Sequence, residues 1–317
     1  MELRPTVLCP VDFSVASRGA LRHAAAIAQH FQAQLTVLTV NDPLVTEAAE
    51  IRLGTRWLPQ DSEHELRRFV DDTFGGTSVP HLQLVVTAGK AAPEILRVAR
   101  EHRHDLIVMS SHGLTGIRKL FFGATTERVL RETNVPVLIT PPVDKGPIGL
   151  EDVGAQVGRI LAPVDLTGAT ARQVKVARGL AEALGVPLLL AHVIEPVRVG
   201  GRPDALLPSV NVERRGRADD AMRQLLEPLP PRIRPEGLTL FGDPAEEIAK
   251  LAQDRQAGLI VMGLHASPMG GPRMGSVTYR VLCLTRTLVL ALPPAPDQSI
   301  HRLDHTRGAW AGQGARA

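Results

Sequence analysis

The fold is decided by a stretch that occurs twice in the chain: Val7-Leu8-Cys9-Pro10-Val11-Asp12-Phe13-Ser14 and Ile160-Leu161-Ala162-Pro163-Val164-Asp165-Leu166-Thr167. A second pair has the same separation of 153 residues: Asp105-Leu106-Ile107-Val108-Met109 and Gly258-Leu259-Ile260-Val261-Met262. Chance does not keep one register across two separate segments, so we infer a duplicated domain. The period is too long for a solenoid repeat and suits a globular domain.

Each repeat alternates short apolar runs with longer stretches of helical period. In repeat one, strands are predicted at 6–12, 35–40, 82–87, 105–110 and 136–140, and helices at 16–30, 61–73, 91–102 and 124–133. In repeat two, strands are predicted at 159–165, 187–193, 237–241, 258–263 and 287–291, and helices at 169–184, 212–227, 245–256 and 277–284. The pattern predicts an α/β fold of two tandem doubly wound domains, each a five-stranded parallel sheet with helices on both faces.

The predicted domains cover residues 1–141 and 159–293, and a Pro- and Gly-rich linker joins them at 142–158. The tail at 294–317 is polar, lacks periodicity and is predicted to be disordered. Pro10 and Pro163 fall within first strands that should be central, where proline is disfavoured. We therefore place both prolines at the carboxyl end of the strand, where ladder pairing stops.

Composition narrows the function classes. The chain is 44% hydrophobic, which suffices for two cores, and it contains no apolar run long enough to span a membrane. A net charge of +3 and 3% aromatic residues do not suggest a nucleic-acid footprint. Cys9 and Cys283 lie in apolar segments and are predicted to be buried thiols without a disulfide. With no apolar signal region at its start, the chain is expected to be cytoplasmic.

Ligands of a doubly wound sheet bind outside the carboxyl ends of the strands, where the strand order reverses. That point should lie between the first and fourth strands, which Asp12-Phe13-Ser14 and residues 110–116 follow. Next, Gly123-Ala124-Thr125-Thr126 opens a helix. Small residues and hydroxyls at a helix N-terminus can cradle a phosphate, but the threonines can equally be helix caps. Asp12, likewise, can contact a ligand or only order the turn into the first helix.

Motifs for other chemistry are missing from the sequence. Gly89-Lys90 lacks the upstream glycine and the Ser or Thr of a Walker A motif, and no Gly-x-Gly-x-x-Gly follows a strand. No Cys/His spacing suits a metal site, and no elbow motif presents a nucleophile. We therefore expect a protein that is not an enzyme and is at most a slow ATPase.

Three segments resemble the universal stress protein family. They are Pro10-Val11-Asp12-Phe13-Ser14 before an alanine-rich helix, Gly89-Lys90-Ala91-Ala92-Pro93-Glu94-Ile95, and Asp105-Leu106-Ile107-Val108-Met109-Ser110-Ser111-His112-Gly113 with Gly123 behind it. The resemblance covers both repeats, roughly 1–141 and 159–293. It implies a five-stranded parallel α/β domain and, in the ATP-binding branch, a loop that reads Gly, two residues, Gly, nine residues, Gly-Ser/Thr. In that branch the first-strand aspartate contacts adenine, the end of the second strand contributes backbone, and the loop takes ribose and phosphates.

The resemblance implies a nucleotide site in repeat one and a weaker candidate in repeat two. The repeat-one residues are Asp12, Val40, Ser110, Gly113, Gly123, Ala124, Thr125 and Thr126. The repeat-two residues are Asp165, Val193, Gly263, Gly275 and Ser276.

Both repeats depart from the family loop. In repeat one, Ser110 replaces the first glycine and Ala124 replaces the Ser or Thr, which removes one hydrogen bond, about 0.5–1.5 kcal/mol. In repeat two, Ala266 replaces the second glycine and the loop is one residue shorter. Alanine at a left-handed position costs about 1–2 kcal/mol, and a shorter loop moves every later donor. Repeat one is therefore predicted to be the better site.

The leading hypothesis is a stress-response regulatory protein that binds ATP, with Mg²⁺ as an optional companion ion, and acts on unidentified protein partners. The alternatives are a protein-interaction scaffold that binds no nucleotide and a slow ATPase. No nucleic-acid or membrane partner is expected. In the family, fifth strands commonly pair across two domains. The resemblance therefore implies an internal pseudo-dimer in which strands 136–140 and 287–291 meet antiparallel, and a homodimer is possible.

Overall fold

The computed structural model describes residues 4–44, 47, 59–75, 77, 79–111, 123–142, 153–167, 170–196, 208–266, 272–273 and 275–294. The chain divides into two compact units: unit 1 comprises Met1–Val153, Ala266–Arg273 and Pro293–Ala317, and unit 2 comprises Gly154–His265 and Met274–Leu292. The predicted tail 294–317, apart from residue 294, and the loop that contains Gly113 lie outside the described residues.

Up to Thr140, the described residues of unit 1 form five strands and helices that connect them. In chain order they are β1 (Thr6–Pro10), α1 (Val15–His30), β2 (Gln34–Asn41), α2 (Pro59–Phe74), β3 (Leu82–Ala88), α3 (Ala91–Glu101), β4 (Leu106–Ser110), α4 (Ala124–Glu132) and β5 (Val137–Thr140).

Unit 2 repeats this order after one additional short helix. In chain order, the elements from here on are α5 (Val153–Val157), β6 (Ile160–Pro163), α6 (Thr170–Leu184), β7 (Leu188–Ile194), α7 (Pro208–Leu226), a 3₁₀ turn (Pro231–Ile233), β8 (Glu236–Phe241), α8 (Pro244–Asp254), β9 (Leu259–Gly263), two short strands β10 (His265–Ala266) and β11 (Pro272–Arg273), α9 (Ser276–Leu284) and β12 (Leu288–Leu292). Of these, the segment Ala266–Arg273, which includes β11, is grouped with unit 1.

Each unit has the same sheet, with its first strand at the centre. In unit 1 the strand order is β3-β2-β1-β4-β5, and in unit 2 it is β8-β7-β6-β9-β12. The pairings within each unit are parallel. The order runs outward in one direction as far as β3 and then reverses from β4, so right-handed crossovers place helices on both faces. The predicted doubly wound fold is confirmed.

Alanines of α1 let this helix pack close to the sheet. Leu21, Ala24, Ala25 and Ala28, the predicted apolar face, are all at most 2% exposed. Strand β1 is buried along its middle, and β5 along its whole length, as expected for a sheet covered on both sides. The predicted site lies at the carboxyl ends of these central strands.

Pro10 and Pro163 are the last residues of β1 and β6, as predicted. Val11 N–H donates to the Leu38 carbonyl at 2.8 Å, so the residue after the proline still bonds to β2. Successive residues of a strand bond to alternate sides, which places the missing N–H of Pro10 on the β4 side. The β1–β4 pairing has already ended at Leu8, so no ladder bond is lost there.

Two features differ from the sequence interpretation. Cys9 is fully buried, but Cys283 is only partly buried because it lies on the amphipathic helix α9. The predicted linker 142–158 contains helix α5, whose Val157 is 3% exposed and accepts a hydrogen bond from Gly258 N–H. The end of this segment thus packs into unit 2.

Candidate functional site

The candidate site lies at the carboxyl edge of the unit 1 sheet, where β1 and β4 separate. The two strands pair only at Val7–Leu106 and Leu8–Ile107, although β1 continues to Pro10 and β4 to Ser110. Neighbouring parallel strands that diverge at the reversal of strand order leave a crevice between their ends. We call the space between these two strand ends the unit 1 crevice.

Asp12 follows β1 directly and organises the turn into α1. Its Oδ1 accepts hydrogen bonds from Ser14 N–H (3.2 Å) and Ser14 Oγ–H (2.6 Å). Ser14 is the N-cap of α1, and its Oγ accepts from Ser17 N–H at 3.0 Å. Asp12 therefore orders the turn into α1. The same hydrogen bonds hold its carboxylate at the entrance of the crevice.

Phe13, between these two residues, adopts a left-handed backbone with φ of 62°. Such a conformation is uncommon for a bulky residue and costs about 1–2 kcal/mol. The Phe13 ring packs edge-on against Phe69, 5.5 Å away, and the Arg18 guanidinium lies 5.2 Å from the Phe69 ring. Leu166 has the same backbone in unit 2, with φ of 60°. This turn was not predicted from the sequence, although both repeats have a large apolar residue there.

The start of α4 is tied to the end of β4. Gly123 N–H donates to the Ser111 carbonyl at 2.9 Å, and Ser111 N–H donates to Thr140. Gly123 is the N-cap, with φ of −62° and no side-chain cap. Any residue can adopt that φ, so the value of glycine here is the missing side chain, which leaves the helix N-terminus open to a ligand.

The next three residues begin α4. Ala124 is exposed and Thr125 is partly exposed. Thr126 is 4% exposed, and its Oγ1–H donates to the Ser110 carbonyl at 2.9 Å. The Thr126 hydroxyl proton is thus engaged with the strand end, and the main-chain N–H remains as its donor for a ligand. The N–H groups of the first helical turn have no acceptor within the helix.

Three more residues of the predicted unit 1 nucleotide site remain to be placed. Two of them lie at the carboxyl edge of the sheet. Val40 is the penultimate residue of β2, pairs with Thr87 and is partly exposed. Ser110 is the last residue of β4 and is 7% exposed, so it lies in the wall of the crevice. Gly113 lies outside the described residues.

Unit 2 reproduces most of this arrangement. Asp165 Oδ1 accepts from Thr167 N–H (3.0 Å), Thr167 Oγ1–H (2.8 Å) and Thr170 Oγ1–H (2.9 Å). Val193 is the penultimate residue of β7, and Gly263 is the last residue of β9. Both are partly exposed.

The start of α9 corresponds to the start of α4. Gly275 is its N-cap with φ of −63° and no side-chain cap, and Ser276, the first helical residue, is exposed. Thr278 Oγ1–H reaches the Gly263 carbonyl at 3.4 Å, so the tie between helix and strand is looser than in unit 1.

The described residues offer little for covalent or metal chemistry. Burial raises the pKa of the Cys9 thiol, which stays protonated and inert behind the crevice. Among the residues that the structure describes, no group of three His, Cys, Asp or Glu side chains could hold a metal ion. The same part of the chain has no helix long and apolar enough to cross a membrane.

Comparison with known proteins agrees with the fold. The model of the universal stress protein family matches residues 4–141 and 156–293. The chain belongs to the universal stress protein family. A universal stress protein of Mycolicibacterium smegmatis is 24% identical over 298 residues, which cover 91% of this chain and 97% of that protein. One from Methanocaldococcus jannaschii is 30% identical over 142 residues, 44% of this chain and 82% of the relative.

Solved structures show the same fold over nearly the whole chain. A universal stress protein from Archaeoglobus fulgidus matches with a TM-score of 0.58 at 19% identity, covering 91% of this chain and 98% of that one. A functionally unknown protein from Pseudomonas aeruginosa matches with a TM-score of 0.62 at 18% identity, covering 97% and 98%. These structures show the fold, and the two matches of the family model show that the universal stress protein domain occurs twice in the chain.

Proposed function

We propose that this universal stress protein is a regulatory module that binds adenine nucleotide, as ATP, in the unit 1 crevice. The supporting observation is the open N-terminus of α4, which Gly123 N–H ties to Ser111 at the end of β4. An uncapped helix N-terminus at the reversal of a doubly wound sheet combines free amides with a favourable dipole for an anion.

Different residues would contact different parts of the nucleotide. The main-chain N–H groups of Ala124, Thr125 and Thr126 would take a phosphate, while the Asp12 carboxylate and the main chain at Val40 would face the base and ribose. Helix-end electrostatics contribute about 1–2 kcal/mol, whereas micromolar affinity needs about 8 kcal/mol. Burial of the adenine base must therefore provide most of the affinity.

The proposed role is regulatory rather than catalytic. The described part of the crevice presents a capping aspartate, buried hydroxyls and main-chain amides. Asp12 Oδ1 does accept from Ser14 Oγ–H at 2.6 Å, but Ser14 Oγ is the N-cap of α1 and accepts from Ser17 N–H, so we assign this pair to the turn rather than to nucleophilic catalysis. Binding would therefore change which protein partners the module engages in a stress response. Mg²⁺ could accompany the phosphates.

Calorimetric titration with ATP tests this function. We expect heat from the wild type at sub-millimolar ATP and none from Gly123→Val, because the valine side chain covers the first-turn amides of α4. The matched control is Gly275→Val, which makes the same change at an N-cap with nearly the same φ in unit 2. Binding should survive in that control.

The control also separates binding from folding, since both substitutions impair a helix N-cap to a similar degree. A wild-type protein that gives no heat, and that releases no adenine on denaturation, would instead support a scaffold that works without nucleotide. Phosphate release that Gly123→Val abolishes would support the slow ATPase.

A further inference from the structure

Unit 2 has a glutamine side chain between two strand ends where unit 1 has an alanine. Gln173, on α6, is 9% exposed and donates from Nε2 to the Pro163 carbonyl (2.5 Å) and to the Val261 carbonyl (2.7 Å). Pro163 ends β6, and Val261 lies in β9. The amide of Gln173 therefore bridges two strands beyond the last pairing between them, Leu161–Ile260.

This bridge lies at the reversal of the strand order in unit 2. The duplication aligns Gln173 with Ala20 of unit 1, a residue that is fully buried and too short to reach either strand end. The corresponding unit 1 strands also stop pairing at Leu8–Ile107, and the residue that matches Gln173 there is this alanine. One substitution thus distinguishes strand ends that this amide bridges from strand ends that it does not.

Contacts at Gly263 and His192 also indicate that side chains bridge the strand ends of unit 2. A Cβ placed on Gly263 would lie 3.5 Å from Gln173 Oε1, so the amide lies directly under the residue that replaces Ser110. His192 donates from Nδ1 to the Val164 carbonyl at 2.8 Å, whereas unit 1 has Thr39 at the matching position. In unit 2, then, Gln173 and His192 bond main-chain carbonyls that border the crevice.

We infer that Gln173 acts as an internal clamp that closes the unit 2 crevice and thereby restricts nucleotide to unit 1. Both N–H groups of its amide are satisfied by strand carbonyls. A ligand that entered between β6 and β9 would have to break these buried bonds, and the amide and carbonyls would be left without partners. This inference rests on the proposed function for its ligand, and it assigns the selectivity between the two sites to a single residue.

The decisive experiment removes the clamp in a protein whose unit 1 site is already blocked. ATP is titrated calorimetrically into the wild type, Gly123→Val and Gly123→Val/Gln173→Ala, all as full chains. The double variant should regain heat over the ATP concentrations at which Gly123→Val gives none, which requires a dissociation constant at least about tenfold lower than that of Gly123→Val. If its heat equals that of Gly123→Val, the clamp does not control access and the inference is overturned.

A reciprocal variant covers the case in which the double variant fails to fold. Ala20→Gln installs the clamp in unit 1, where its amide should bridge β1 and β4. A folded Ala20→Gln protein, as judged by its melting transition, should lose ATP binding at least about tenfold. Wild-type affinity in this variant would contradict the inference.

The two proposals fail in different ways. Absence of ATP heat from the wild type counts against the proposed function alone, because the wild type carries no change in either crevice. A gain of heat on adding Gln173→Ala would still support the clamp in that case.

Discussion

Besides the Gly123 N–H, the Thr126 hydroxyl joins the start of α4 to the end of β4 at the edge of the crevice. Thr126→Val removes the 2.9 Å bond to the Ser110 carbonyl but keeps the side-chain shape and the main-chain N–H. We expect a loss of about 1 kcal/mol in the free energy of unfolding, with ATP affinity retained within about threefold. Urea denaturation and calorimetry check the two expectations.

Thr278→Val is the matched control, and its smaller expected loss follows from the longer 3.4 Å bond to Gly263. If Thr126→Val lost ATP binding while its stability stayed unchanged, the hydroxyl would be a phosphate ligand and its structural assignment would be wrong.

His104 makes the stability of unit 1 depend on pH. The side chain is 5% exposed, Nε2 lies 3.1 Å from Thr36 Oγ1, and burial lowers its pKa from 6.5 to about 4. Between these two values the unfolded chain binds a proton that the folded chain does not, so stability falls as the pH drops from about 6.5 to about 4. The full effect is about 3 kcal/mol.

His104→Gln should flatten this part of the stability curve, as measured by urea denaturation at a series of pH values. His102→Gln is the control, because His102 is exposed two residues away, and most of the pH dependence should remain. An unchanged slope in His104→Gln would mean that other groups cause the acid loss. Unit 2 has Ala257 at the position of His104, which limits this effect to unit 1.

The positions of the individual residues Asp12 and Gly123 could be predicted from the sequence, because the hydrophobic pattern shows where strands end and helices begin. It could not anticipate the left-handed Phe13, since nothing in a phenylalanine indicates positive φ. Nor did it reveal the role of Gln173: a glutamine on a helix is usually a solvent-facing residue, and only the packing shows its two carbonyl partners.

Helix α5 has no counterpart in the first repeat, yet its end packs against Gly258 in unit 2. A side chain on Gly258 would meet the carbonyl oxygens of Val157 and Gln156, the latter at 2.5 Å. In unit 1 the matching residue is Asp105, whose Oδ2 accepts from both Thr6 N–H and Thr6 Oγ1–H at 2.9 Å. The glycine therefore makes room for α5 where unit 1 uses a side chain.

Gly258→Ala should lower the free energy of unfolding by about 1–3 kcal/mol, because the backbone must move to relieve the contact with α5. The control is Gly216→Ala on the exposed side of α7, where nothing lies within 4 Å and alanine should stabilise the helix by about 1 kcal/mol. Equal stability of the two variants in urea would show that α5 does not pack against Gly258.

Most elements were predictable because strands buried on both faces and amphipathic helices leave different apolar periods. Helix α5 was missed because a five-residue helix amid Pro and Gly gives no such period. Cys283 was misplaced for a related reason: an apolar neighbourhood in the sequence of α9 does not say which side of the helix a residue occupies.

In the whole molecule, duplication has produced two copies of one crevice. The two copies differ at the residue that faces the strand ends. Unit 1 keeps Ala20 beneath separated strands, whereas unit 2 bridges the same strands through Gln173. The predicted antiparallel meeting of the fifth strands and the possible homodimer stay predictions, as does the cytoplasmic location. The repeat itself was evident from the sequence, but the difference between the crevices depends on side-chain contacts.

A crystal structure of the full chain grown with ATP would show which crevice holds the nucleotide. We expect electron density for the nucleotide beside Asp12 and the N-terminus of α4, with Gln173 still bonded to Pro163 and Val261 and no nucleotide between β6 and β9. Density only in unit 2, or empty crevices in both units at saturating ATP, would contradict this expectation.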